Sequence, residues 1–111
     1  IITKRPKEKM LGGLWELPGG KREKGESLKK GLIREIKEEL NINIEVGNKM
    51  GMIKHAYSHM KIQLHAYQCK IKNGEIKMNA CVDLKWIQRQ HIEEYSFPTA
   101  NHKLFKKIKG N

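Results

Sequence analysis

The clearest pattern along the chain is a run of apolar residues at Leu28, Leu32, Ile36 and Leu40, spaced four apart, with Ile33 beside them. That spacing predicts one amphipathic helix over 28–40, opened by Ser27 as its N-cap. Gly31 lies inside it at a cost in propensity, which close packing would explain. Elsewhere the pattern is strand-like. Strands are expected over 1–5, 14–17, 42–46, 49–57, 61–71 and 84–87. Turns are expected at Pro18-Gly19-Gly20, Ser58-His59 and Asn73-Gly74, with a helical turn over 91–94 and a closing helix over 100–108 that places Leu104, Phe105 and Ile108 on one face. Strands, one strong helix, more strands and a last helix make an α+β fold, with helices packed on a sheet.

The length of 111 residues suits one domain spanning residues 1–111. The chain opens on Ile1 in strand-like sequence, so an upstream strand or further residues are expected before it. No apolar run approaches the ~18 residues of a membrane span. Cys69 and Cys81 have no metal-binding spacing and read as reduced thiols of a cytoplasmic protein. The formal charge of +11 favours polyanionic partners such as nucleotides or nucleic acid, against the plainer alternative of a lysine-rich solvated surface.

Against that charge, the acids are concentrated. There are 12 Asp and Glu against 23 Lys and Arg, and Glu26, Glu35, Glu38 and Glu39 fall in one short stretch with Arg34. On a helix Glu35 and Glu39 share a face, and Arg34 lies four residues before Glu38. Crowded carboxylates repel one another, and a hard divalent cation such as Mg²⁺ or Mn²⁺ relieves that repulsion. A solvated Lys/Glu helix face is the alternative; the glycine turn, the spacing to Glu26 and the Arg34-Glu35 pair argue against it.

These residues resemble the Nudix box, Gly-x5-Glu-x7-Arg-Glu-U-x-Glu-Glu-x-Gly-U with U a bulky aliphatic. Gly20, Glu26, Arg34, Glu35, Ile36, Glu38, Glu39 and Ile42 match it, and Asn41 stands where the pattern has glycine. The resemblance implies an α/β/α sandwich with a mixed sheet, a loop-helix-loop box and a C-terminal helix. It also implies Mg²⁺- or Mn²⁺-dependent hydrolysis of nucleoside diphosphate derivatives. Glu35, Glu38, Glu39 and the Gly19 carbonyl would then hold metal, with Glu26 and Arg34 orienting the cluster.

The likeness extends past the box. Arg5-Pro6 and the run from Leu11 to Gly20 look like the entry to the box in MutT proteins and in the C-terminal domain of MutY adenine glycosylases. His55-Ala56-Tyr57-Ser58-His59 is MutY-like and marks Ser58 beside a base. Phe97-Pro98-Thr99-Ala100-Asn101 is MutT-like and marks Phe97 and Asn101, whose amide offers both a donor and an acceptor to a base edge. Arg5 joins them as a substrate contact. Both relatives handle 8-oxoguanine, so two readings follow. One is a MutT-like enzyme converting 8-oxo-dGTP to the monophosphate. The other is the lesion-recognition domain of an adenine glycosylase, bound to DNA and not itself a hydrolase. Ala80 stands where many MutT-like enzymes carry a glutamate, and Asp83, as a substitute, would point to the opposite strand face. Lys103, Lys106, Lys107 and Lys109 are candidate phosphate contacts or simple partners of the helix dipole. Trp15 is expected in the core.

Overall fold

The computed structural model describes residues 1–109, Lys109 by its backbone alone. Its elements are β1 (Ile2–Lys4), β2 (Trp15–Glu16), α1 (Leu28–Leu40), β3 (Ile42–Tyr57), β4 (Met60–Gly74), β5 (Asp83–Lys85), a 3-10 turn (Arg89–Glu94) and α2 (Thr99–Lys109). β1 is the middle strand of a small sheet, with β2 on one side and β5 on the other. β3 and β4 form a separate long hairpin, closed by Ser58 and His59 between the Tyr57–Met60 pair.

Strand alternation creates the layers. Ile2 joins Trp15, Phe97 and Phe105 in one core, beneath α2. Its neighbour Ile1 packs on the other core, where Ile36 and Leu40 of α1 meet Ile42 and Ile44 of β3. Both helices pack against β3. The α+β class and the C-terminal helix are as expected. The strand directions refine the expectation of a mixed sheet: every ladder among the described residues is antiparallel.

Three readings of the chain change. Residues 42–46 and 49–57 are one strand, because Gly47 and Asn48 are absorbed as a bulge between the Val46–Cys69 and Lys49–Tyr67 pairs. Turn-forming residues and bulge-forming residues look alike in sequence, which hid the continuity. The last strand is shorter than 84–87, ending at Lys85 and leaving Trp86 64% exposed. Asn73-Gly74 is not a hairpin turn but the end of β4, with Asn73 paired to Asn43 and Gly74 to Ile42. Gly74 adopts φ +110°, and a β-carbon there would lie 2.8 Å from the Asn41 carbonyl oxygen. Gly74→Ala should therefore destabilise the chain by about 1–3 kcal/mol, read as a lower midpoint in urea unfolding.

Both ends of α1 are capped. Ser27 Oγ accepts from the Lys30 N–H at 3.1 Å. At the other end Asn41 takes the left-handed conformation (φ 60°, ψ 29°) that the box pattern assigns to glycine. The four carbonyls that end a helix without partners are all satisfied here. Asn41 N–H donates to Lys37, Asn79 Nδ2 to Glu38, Asn79 N–H to Glu39 and Lys77 N–H to Leu40, at 2.9–3.0 Å. The segment after β4 thus closes over the helix end and fixes the backbone of Glu38 and Glu39.

Candidate active site

Arg34 organises the acids of α1. Its Nε and Nη2 donate to the two Glu26 carboxylate oxygens at 2.9 and 3.0 Å, a bidentate pair. Nη1 reaches Glu35 at 3.0 Å and Glu38 at 3.1 Å, and Nη2 also donates to the Lys21 carbonyl. The side chain of Arg34 thereby ties the loop over 20–26 to the helix. Glu26, held first by Arg34 and then by the Glu23 N–H, has its pKa pulled down to about 2. Arg34 is raised in turn, chiefly by Glu26.

Gly20 explains why the loop can come so close. It lies against Glu35, and a β-carbon on it would overlap the Glu35 carboxylate. Gly31, buried in α1, has Glu26 against it: a β-carbon there would come 3.0 Å from Glu26 Oε1. Close packing is therefore its reason for being glycine.

Glu39 is held differently. Arg34 does not reach it; its Oε2 accepts the Gly19 N–H at 3.3 Å. Burial pushes its pKa up to about 7, offset by the Gly19 hydrogen bond and reinforced by the charges of Glu35 and Glu16. It lines a cavity of about 200 Å³ together with Thr3, Arg5, Lys9, Glu16, Ala80 and Cys81. A second cavity of similar size is walled by Leu17, Met50, Ala66, Phe105 and Ile108, with Gln68 and Arg89 as polar members.

The predicted residues therefore divide. Glu26, Arg34, Glu35 and Glu38 form one ion-paired cluster, with Glu39 and Gly19 beside it. Arg5 lies in the Glu39 cavity. Asn101 sits in the first turn of α2, half-buried and outside both cavities. Ser58 is exposed at the hairpin tip. Phe97 is 5% exposed and packs edge-on against Phe105 with ring centroids 4.9 Å apart, so it is a core residue and not a surface for substrate. Trp15 is core as expected. Of the C-terminal lysines, Lys103 Nζ meets His55 Nδ1 at 2.8 Å, and the Lys109 side chain lies outside the described residues. Asp83 accepts the Leu84 N–H and is not in the Glu39 cavity.

Glu16 is the residue that sequence reasoning missed. It pairs with Arg5 Nη1 at 3.0 Å, lines the same cavity as Glu39 and adds to the burial that raises the Glu39 pKa. In the sequence it is the acid within the strand expected over 14–17, which pairs with the strand that leads into Arg5.

The oxygen donors here have the chemistry of a hard-cation site. Among the described residues, however, no three His, Cys, Asp or Glu side chains are gathered in a metal-ready arrangement. Arg34 supplies the countercharge at Glu26, Glu35 and Glu38, and among the described residues Glu39 has no cation within ion-pair distance.

A model of the NUDIX domain family matches residues 1–107. The chain belongs to the Nudix family. A CTP pyrophosphohydrolase of Escherichia coli is 31% identical over 101 residues, covering 91% of this chain and 75% of that protein. An 8-oxo-dGTP diphosphatase of Buchnera aphidicola from Schizaphis graminum is 34% identical over 100 residues, covering 90% and 75%. A MutT protein from Methanosarcina mazei superposes with a TM-score of 0.86 at 23% identity, covering 98% of this chain and 81% of that one, a likeness of fold. As a Nudix hydrolase the chain acts on phosphoric anhydride bonds; Nudix hydrolases generally use a divalent metal ion, and the CTP and 8-oxo-dGTP enzymes are by name nucleotide hydrolases. No described helix is long and apolar enough to cross a membrane.

Proposed function

We propose that this Nudix protein is a Mg²⁺-dependent nucleoside triphosphate pyrophosphohydrolase of the MutT type, with water and 8-oxo-dGTP giving 8-oxo-dGMP and pyrophosphate. The observation that carries the reading is that Glu39 lines one cavity together with Arg5 and Lys9. A carboxylate short of countercharge faces two cationic side chains, which suits a metal-bound polyphosphate. Glu35, Glu38, Glu39 and the Gly19 carbonyl would hold the ion, which supplies charge neutralisation at phosphate oxygens and a more acidic bound water. Glu26 and Arg34 keep Glu35 and Glu38 in place. Arg5 contacts the phosphates and is itself aimed by Glu16. Asn101, half-buried at the start of α2, is the candidate for reading the base. Phe97 acts behind it by anchoring the chain just before that helix.

The identity of the base rests on the match of Phe97 to Asn101 and on the 8-oxo-dGTP diphosphatases among the relatives. The CTP pyrophosphohydrolase is the competing precedent. Pyrophosphate release should therefore be compared for 8-oxo-dGTP, dGTP and CTP with Mg²⁺. The expected result is a kcat/KM preference for the oxidised nucleotide, reduced about 10–100-fold by Asn101→Ala, the loss of one or two base-directed hydrogen bonds. Faster turnover of CTP would refute the base assignment and leave the hydrolase standing.

A second reading has one observation behind it. Ala80 borders the Glu39 cavity where many MutT-like enzymes carry a glutamate. If no nucleotide is hydrolysed and the chain binds 8-oxoguanine in DNA, with affinity falling steeply with salt, the lesion-recognition role is correct instead.

A further inference from the structure

The hairpin has a second face, opposite the one that α2 covers, and it carries cationic side chains. Gly51 and its partner Ala66 lie toward α2: a β-carbon on Gly51 would come 3.6 Å from Ile108 and 3.7 Å from Leu104. Alternation along β4 then turns His65 and Tyr67 to the other face, with Met52 opposite His65 and Lys49 opposite Tyr67. Two parts of the box stand over that face. Lys29, in the first turn of α1, and Lys49 each bring Nζ to 6.0 Å from the Tyr67 ring centroid. Arg22, from the loop before α1, and Lys49 both act on His65 through their charges.

Two features of this group are unbalanced. Arg22, Lys29 and Lys49 make no ion pair among the described residues; the carboxylate that feels Arg22 is Glu26, already taken by Arg34. His65 Nδ1 is buried with no hydrogen-bond partner, the one such side-chain atom among the described residues. Converging cations repel one another, and an orphaned buried nitrogen costs free energy until something pairs with it. The cation–π contacts hold both ammonium groups near Tyr67, so their positions are partly set in advance.

We infer that Arg22, Lys29, Lys49 and His65 form a phosphate-binding subsite, separate from the acidic cluster, that takes a phosphate group, as a free anion or as a phosphodiester. A phosphate oxygen satisfies both imbalances at once. It offsets much of the repulsion among the three cations and accepts an N–H from His65 in the tautomer or charge state that protonates Nδ1. The phosphate can come from a free anion or from the backbone of a nucleic-acid strand, and the chemistry at the subsite is the same.

The test follows the His65 ring signals by NMR in the full chain without metal, adding inorganic pyrophosphate in one series and a short single-stranded oligonucleotide in the other. The His65 ring should shift in at least one series. In a Lys29→Gln/Lys49→Gln variant that shift should be lost, with the remaining amide spectrum unchanged, and Lys49→Arg alone should retain it. A response to pyrophosphate alone identifies the free anion as the source. A response to the oligonucleotide identifies the strand, and its affinity should then fall about tenfold in the double variant, with the salt slope smaller by about 1–2. No movement of His65 with either probe, or the same movement in the double variant, overturns the subsite.

Discussion

Glu39→Gln should remove most of the hydrolytic activity while making the metal-free protein more stable above pH 7. The activity loss follows from the position of Glu39 in the cavity wall, where the proposed reading needs its charge. A drop in kcat of about 10²–10⁴-fold is expected, the range for losing a group active in the transition state. The stability gain follows from its pKa. The folded value of about 7 lies above the ordinary 4.5, so the folded chain binds this proton more tightly than the unfolded chain. Stability from this group is therefore greatest below about pH 4.5, declines as pH rises towards about 7, and stays low above it. Glutamine carries no charge and avoids that decline. Allowing for solvent screening of a half-exposed group, the variant should gain on the order of 1–2 kcal/mol at pH 8. Denaturant unfolding of EDTA-treated samples at pH 5 and pH 8 measures it. Equal stability of the two proteins at pH 8, or near-normal turnover by the variant, would contradict this account. Added Mg²⁺ should narrow the gap by stabilising the wild type more than the variant.

Gly20→Ala should likewise lose activity, here with stability almost unchanged. Gly20 is exposed, so a methyl group there displaces no core residue. It would displace the Glu35 carboxylate, and with it one arm of the Arg34 cluster. Misplacing a site group by about 1 Å can cost 10²-fold in rate. The expected result is a fall in kcat of about 10²-fold with a thermal midpoint within a few degrees of wild type. A normal kcat would mean that Glu35 tolerates displacement and that its place in the cluster is not needed.

Both predictions concern residues whose type and spacing were legible in the chain. The period of Leu28, Leu32, Ile36 and Leu40 located α1, and Ser27 its start, because helix burial and capping are local rules. The box spacing gathered Glu26, Arg34, Glu35 and Glu38, because residues four apart on a helix are neighbours and the loop before it is short. What stayed hidden was set by distant pairing. Gly47-Asn48 and Asn73-Gly74 carry turn chemistry, yet strand partners convert them into a bulge and a strand end. Phe97 stands in a segment with pocket chemistry, yet Ile2, Trp15 and Phe105 pack with it in the core. Glu16 gains its interest only when β1 and β2 pair and bring it to Arg5.

The closure of α1 by Asn79 and Lys77 has a consequence for how the protein breathes. The last turn of α1, carrying Glu38 and Glu39, cannot fray without also releasing the segment that borders the cavity at Ala80. Helix end and cavity wall therefore open as one cooperative unit, and the amides of Asn41, Lys77 and Asn79 should exchange with solvent hydrogen through a shared opening event.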